Sequence, residues 1–170
     1  MIDAQNQSLD LYNRWSGDLI IQIVMALNQG GNIEAVIDAT PVFALPGKKR
    51  RIDLRGIDLS FQNLRGPWNI MKERRQRSGV NLSDCDLSYA NLGWTILLRA
   101  DLKRSLFAEA NMCDCELVLA DCTGADFSGA HMQNAWLLNT KFQNANISRE
   151  QLRKRRNIGQ MDLDIHAFEL

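Results

Sequence analysis

The chain has 170 residues, 45% of them hydrophobic and 24% charged, which is enough apolar material for one packed domain with a small appendage. Its 20 basic and 20 acidic residues cancel overall but not locally: residues 1–47 sum to −4, 48–79 to +7, 80–149 to −3 and 150–170 to 0. The longest apolar run, Leu19 to Leu27, is broken by Gln22 and too short to cross a bilayer. With no basic leader or small-residue cleavage pattern ahead of it, the expectation is a cytoplasmic chain with reduced cysteines and no membrane partner.

In chain order, residues 8–29 (SLDLYNRWSGDLIIQIVMALNQ) read as a helix or a broken pair, with Ser8 or Asp18 as candidate caps and Gly30 and Gly31 as the stop. Asn32 can cap a short second helix, IEAVIDA, which Pro41 ends. Leu11, Trp15, Leu19, Ile20, Ile23, Val24 and Leu27 are too many for one exposed stripe. Residues 1–47 therefore form a helical appendage that must dock, either over the N-terminal end of the repeats beyond it or along one of their sides.

From residue 52 a period of five takes over. IDLRG, IDLSF and QNLRG fill residues 52–66, and PWNIMKERRQRSG, 67–79, interrupts them. From Val80 fourteen fives run without a gap to residue 149: VNLSD, CDLSY, ANLGW, TILLR, ADLKR, SLFAE, ANMCD, CELVL, ADCTG, ADFSG, AHMQN, AWLLN, TKFQN and ANISR. Let i denote the centre of each five. The centres are Leu82, Leu87, Leu92, Leu97, Leu102, Phe107, Met112, Leu117, Cys122, Phe127, Met132, Leu137, Phe142 and Ile147, and position i−2 is Ala in seven of the fourteen.

A straight helix cannot use this spacing, because at about 100° per residue each step of five rotates the apolar position by roughly 140°. A straight strand fails too, since an odd period sends successive Leu residues to opposite faces. The chain must turn a corner once per repeat, with i and i−2 pointing inward from each short side. Stacked corners of this kind form a solenoid whose backbone hydrogen bonds run between coils. The step from Leu64 to Leu82 is not a multiple of five, so 67–79 must loop out of the coil.

The repeated motif is a small residue, then Asp or Asn, then Leu or Phe, then two variable residues. It resembles the pentapeptide-repeat family, and the resemblance implies an all-β fold: a right-handed, four-sided β-helix, here of about four coils over residues 48–149. Cys122 at a centre, Gln62 in a small-residue place, and Ile96, Leu106, Glu116, His131, Trp136 and Lys141 in the Asp/Asn place depart from the motif. At the far end, residues 150–170 read as a capping helix and tail. Ser148 followed by Gln151 fits a capping box, and MDLDIHAFEL alternates as a strand able to pair with a neighbouring chain or fold back.

Four sides put residues twenty apart in one column. The side beginning at TILLR then stacks with CELVL and AWLLN, and collects Ile96, Leu98, Val118, Leu119, Trp136 and Leu138. These are six of the eight outward Ile, Leu, Val or Trp residues in the fourteen repeats, the others being Trp94 at the adjoining corner and Leu106. Three coils at about 4.8 Å make an apolar wall of about 400 Å², whose covering contributes at most on the order of 10 kcal/mol. Its cover can be the chain's own helices or tail, a second protomer, or another protein.

Chemistry is sparse. Cys85, Cys115 and Cys122 fall on inward positions and only Cys113 points out, so the CDC at 113–115 cannot chelate. His131 and His166 have no paired nucleophile, and Asp86, Asp101, Asp121 and Asp126 hold the recurring i−1 place, where Asp bonds the local backbone. No catalytic, metal or cofactor residue is assigned. KKRR at 48–51, KERRQR at 72–77 and RKRR at 153–156 lack aromatic interleaving, so they suit a solvated face or an acidic partner better than nucleic acid. The expectation is a non-enzymatic protein-binding or scaffold protein. The alternative drawn from the resemblance is a DNA-mimic modulator of a topoisomerase, and a nucleic-acid binder acting through the basic runs is a third.

Overall fold

The structure is a computed structural model that describes residues 15–30, 52–66 and 79–153. Ser8, the second helix at 33–39, the basic runs at 48–51 and 72–77, all of 153–156 but Arg153, and the strand expected at 161–170 lie outside the described residues.

The period of five closes into coils of twenty. Parallel bridges join Asn81 to Asp101, Asp86 to Leu106, Asn91 to Asn111 and Ile96 to Glu116, and continue at the same offset to Asp126 and Asn146. Five residues per side and twenty per coil make four sides. Side 1 holds 52–56, 85–89, 105–109, 125–129 and 145–149; side 2 holds 57–61, 90–94, 110–114 and 130–134. Side 3 holds 62–66, 95–99, 115–119 and 135–139, and side 4 holds 80–84, 100–104, 120–124 and 140–144. Regular strand is brief because one residue per side sits in ladder geometry before the next corner: β1 (Ile52–Asp53) and β2 (Cys85–Asp86) pair parallel, and the remaining pairings are single bridges.

Between coils each centre N–H donates to the i−1 carbonyl one coil up, as Leu82 does to Asp101 at 2.8 Å, and each i−1 N–H donates back down, as Asp101 does to Val80 at 2.9 Å. Each corner closes when the i carbonyl accepts the N–H three residues on, for example Ala90 to Leu87 at 3.1 Å. The i+2 residue then takes a positive φ, 57° at Asp84 and 62° at Tyr89, at nearly every turn.

The first coil pairs at a different offset. Ile52 lies opposite Cys85, Asp58 opposite Asn91 and Asn63 opposite Ile96, an offset of 33, which exceeds twenty by the length of the 67–79 excursion. The stems of that excursion meet: a Cβ on Gly66 would stand 2.3 Å from the Gly79 carbonyl carbon, and one on Gly79 would stand 2.0 Å from Arg99 O. Both glycines have φ near +70°.

The interior is a column of centres. Leu82, Leu87, Leu92, Leu97, Leu102, Phe107, Met112, Leu117, Cys122, Phe127, Met132, Leu137, Phe142 and Ile147 are all buried, and Phe107 stacks on Phe127 at 4.9 Å with Phe142 edge-on at 5.7 Å from Phe127. Where a hydroxyl replaces Ala at i−2 it turns back to a carbonyl of the coil below. Thr95 donates to Leu59 O at 2.7 Å, Ser105 to Leu82 O at 2.5 Å and Thr140 to Leu117 O at 2.8 Å.

Both ends are closed by side chains that act for missing backbone. Helix α1 (Gly17–Gln29) is capped by Ser16, whose hydroxyl accepts from Leu19 N, and ends at Gly30 in the left-handed conformation. Asp18 lies in its first turn and does not cap it. Leu19, Ile23 and Leu27, one stripe at i, i+4 and i+8, join the coil core. At one end Trp15 Nε1 donates to Arg55 O on side 1 at 2.9 Å; at the other, Asn28 donates to Asn63 O on side 3 at 2.8 Å and accepts from Gly66 N. In the coils above, the equivalent carbonyls accept from the coil beneath, for example Ser88 O from Gly56 N and Ile96 O from Leu64 N. α1 therefore lies across the N-terminal end, covering an edge that would otherwise pair with other chains.

At the other end, Ser148 and Gln151 exchange the two bonds of a capping box, at 3.2 and 2.8 Å, and open α2 (Arg149–Arg153). Gln151 Nε2 also donates to Ala130 O at 2.9 Å, a carbonyl whose counterpart one coil lower, Ala110 O, accepts the backbone N–H of His131. Leu152, one twenty-residue turn beyond Met132, is buried as another centre would be.

Candidate interaction surface

Side 3 is assembled by the twenty-residue register. Bridges place Ile96, Glu116 and Trp136 in one column. Bonds from Arg99 N to Val118 O and from Leu119 N to Leu138 O, both 2.9 Å, stack Leu98, Val118 and Leu138 in the next, with Arg99, Leu119 and Asn139 at the corner. Leu119 is 41% and Trp136 39% exposed, and Ile96, Leu98, Val118 and Leu138 are partly exposed. α1, seated on the end of the solenoid, leaves these six residues to their own side.

The first coil borders the wall with polar groups, since its side-3 rung offers Asn63 and Arg65. Arg65 reaches past the second coil to Glu116 in the third, with Nη2 3.9 Å from Oε2. Its Nε is buried without a hydrogen-bond partner.

One apolar contributor escapes a reading of the fourteen continuous repeats. Phe61 lies under Trp94 at the corner between sides 2 and 3, ring centroids 5.3 Å apart and planes 8° from parallel. The two share the wider offset of the first coil, so a search at twenty misses the pair; deleting 67–79 from the count restores the column.

Apart from that corner and from Tyr89 and Leu106 on side 1, the other sides are polar, occupied with their own turns and ion pairs. Asp86, Asp101, Asp121 and Asp126 each accept the N–H two residues on, at 3.1, 3.2, 3.2 and 2.9 Å, which makes them turn-formers. Burial pushes the Asp121 carboxyl up, but the Thr123 hydroxyl and N–H, with Lys103 and Lys141, outweigh it and hold the group below the ordinary carboxylate value. Burial acts likewise on Asp126, outweighed by Ser128 and Asn146. On side 4, Lys103 bridges Asp101 at 3.1 Å and Asp121 at 3.5 Å, and Arg104 pairs with Asp84.

Burial raises the Cys115 and Cys122 thiols far above the range in which a thiolate forms. Cys113 is partly exposed and lies 3.0 Å from Gln133 Oε1. No group of three or more metal-ligating side chains occurs among the described residues. A cavity of about 180 Å³ between side 2 and α2 is lined by His131, Gln133, Ser148, Glu150 and Gln151, and its one hydroxyl, Ser148, is engaged in the capping box. No helix among the described residues is long and apolar enough to cross a membrane.

No curated protein matches the chain. Among solved structures it is similar to a pentapeptide repeat protein of the Arabidopsis thaliana thylakoid lumen, with 25% identity over 62% of this chain and 70% of that one and a TM-score of 0.29. It is also similar to Rfr23, a pentapeptide repeat protein of the cyanobacterium Cyanothece 51142, with 21% identity, coverage of 67% and 85% and a TM-score of 0.31. A third is QnrB1, a plasmid-mediated fluoroquinolone resistance protein, with 29% identity, coverage of 58% and 47% and a TM-score of 0.25. Superpositions this partial assign no activity. The family model of pentapeptide repeats matches residues 78–114, 95–134 and 120–154. With coils of four five-residue sides in continuous register across that span, residues 78–154 are a run of pentapeptide repeats.

Proposed function

We propose that this protein is a non-enzymatic, cytoplasmic scaffold, a right-handed four-sided rod whose side 3 holds a protein partner. The observation that carries the reading is the column register of Ile96, Glu116 and Trp136, which gathers six outward apolar residues on one side while α1 occupies the end instead. A fixed, partly exposed wall of this kind suits binding, because its residues are already ordered when the partner arrives.

DNA mimicry draws less support. A duplex carries one charge per about 1.7 Å, so four coils, about 19 Å, would need roughly eleven negative charges in a regular groove pattern. The described coils carry ten carboxylates spread over all four sides. Six of them (Asp53, Asp84, Asp86, Asp101, Glu116 and Asp121) lie within 4 Å of an Arg or Lys.

The test is a photoreactive residue placed at Leu98 on side 3 and, as a control, at Ser83 on side 4, with solution mass followed by light scattering. A discrete adduct from position 98, suppressed by Leu138→Asp and absent from position 83, is expected. Equal labelling at both positions, or labelling indifferent to Leu138→Asp, would refute a side-3 partner.

A further inference from the structure

The Phe61–Trp94 pair is costly to keep. Phe61 is 73% and Trp94 54% exposed, and both hold a positive φ, 58° and 55°. A bulky L-residue is strained in that region, whereas glycine is free of the strain and Asn tolerates it. Gly56, Gly124, Asn134, Asn139 and Asn144 fill the position with such residues, while Asp84, Tyr89, Arg99, Arg104, Glu109, Asp114 and Leu119 bear the same strain as Phe61 and Trp94. Two exposed aromatic rings at strained corners serve neither the coil's backbone nor its core.

Their position says what they can serve. Trp94 precedes Ile96 by two residues, so the ring pair carries the apolar surface of side 3 around the corner onto side 2. On side 2 the neighbouring charges are acidic: Asp58 belongs to the same rung as Phe61, and Asp114 occupies the corner one coil above Trp94. Aromatic faces next to carboxylates attract a cation and repel phosphate, whereas aromatic platforms for nucleic-acid bases lie in basic grooves.

Size points the same way. The wall of about 400 Å² and two exposed rings at roughly 140 Å² each reach about 680 Å², still short of the roughly 800 Å² per partner in a stable protein interface. A second copy of the chain bound here alone would be held weakly, but a short segment would be accommodated.

Building on the side-3 reading above, we propose that the Phe61–Trp94 corner anchors a short segment of a partner protein, taking an arginine or lysine against the rings while apolar neighbours lie along Ile96 and Leu98. The rings supply the cation site, Asp58 adds charge complementarity, and side 3 supplies the apolar contact.

The probe is a fluorescent peptide, acetyl-Leu-Arg-Leu-Arg-Leu-amide, titrated against the full chain by anisotropy, with one control carrying Glu for Arg and another Ser for Leu. The Leu-Arg peptide should bind about tenfold tighter than either control. Phe61→Asn and Trp94→Asn should each weaken it about tenfold while the melting temperature holds or rises, because Asn relieves the corner strain. A merely structural pair would lose stability instead. If Leu138→Asp abolishes binding and the two Asn variants do not, the wall reading stands and the corner proposal falls. Equal binding of the Glu peptide, absence of binding by the Leu-Arg peptide, or a concentration-dependent dimer that Phe61→Asn dissolves would each overturn the proposal.

Discussion

Gly79→Ala tests how the 67–79 excursion is closed. Gly79 sits beneath Arg99 with φ +70°, and an added Cβ would lie 2.0 Å from Arg99 O, 2.4 Å from its carbonyl carbon and 2.8 Å from Ala100 N. Every atom it meets is backbone, flanked by the inter-coil bonds of Arg99 N to Val118 O and Asp101 N to Val80 O, so the clash cannot be relieved by rotating a side chain. The left-handed conformation costs an alanine about 1–2 kcal/mol and the forced separation of backbones a further ~1–3 kcal/mol, giving about 2–5 kcal/mol in all. Gly124 is the internal control: its φ is +68°, but the nearest atom to an added methyl is Arg104 Cγ at 3.6 Å, an ordinary contact. Gly124→Ala should therefore cost only the conformational part, about 1–2 kcal/mol. Urea unfolding of the two variants beside wild type reads the difference as a shift in midpoint at constant slope. If Gly79→Ala falls within about 0.5 kcal/mol of Gly124→Ala, the stems do not meet as described and the excursion leaves the coil elsewhere.

Two further outcomes concern the core and the turns. Phe107→Ala, removing a fully buried ring stacked on Phe127, should cost about 3–5 kcal/mol in the same assay, whereas Phe107→Leu, the commoner centre residue, should cost less than about 1.5 kcal/mol; equal costs would mean that the aromatic column is not packed. Asp121 is held below its ordinary value of about 3.9, so its ionised form stabilises the fold above that pH, and the contribution is lost as pH falls through the folded value. The stability gap between wild type and Asp121→Asn should thus narrow as a denaturation series is taken below about pH 4, and a gap indifferent to pH would refute the assignment.

What the sequence by itself determined is the part of the structure that repeats locally. A period of five forces a corner, an inward Leu or Phe and a column register of twenty, since each unit bonds only to the units directly above and below it. The turn roles of Asp86 and Asp126 and the Ser148–Gln151 box were legible for the same reason: donor and acceptor lie two or three residues apart. Only the tertiary structure decided what depends on which backbone groups lack a neighbouring coil. Among the described residues Arg55 O and Asn63 O have no coil beneath them, so Trp15 and Asn28 draw α1 across the end and away from side 3, a choice its apolar stripe leaves open. The Phe61–Trp94 stack likewise rests on the structure bringing Gly66 against Gly79, which fixes the offset across the excursion at 33; the spacing shows that column only when 67–79 is left out of the count.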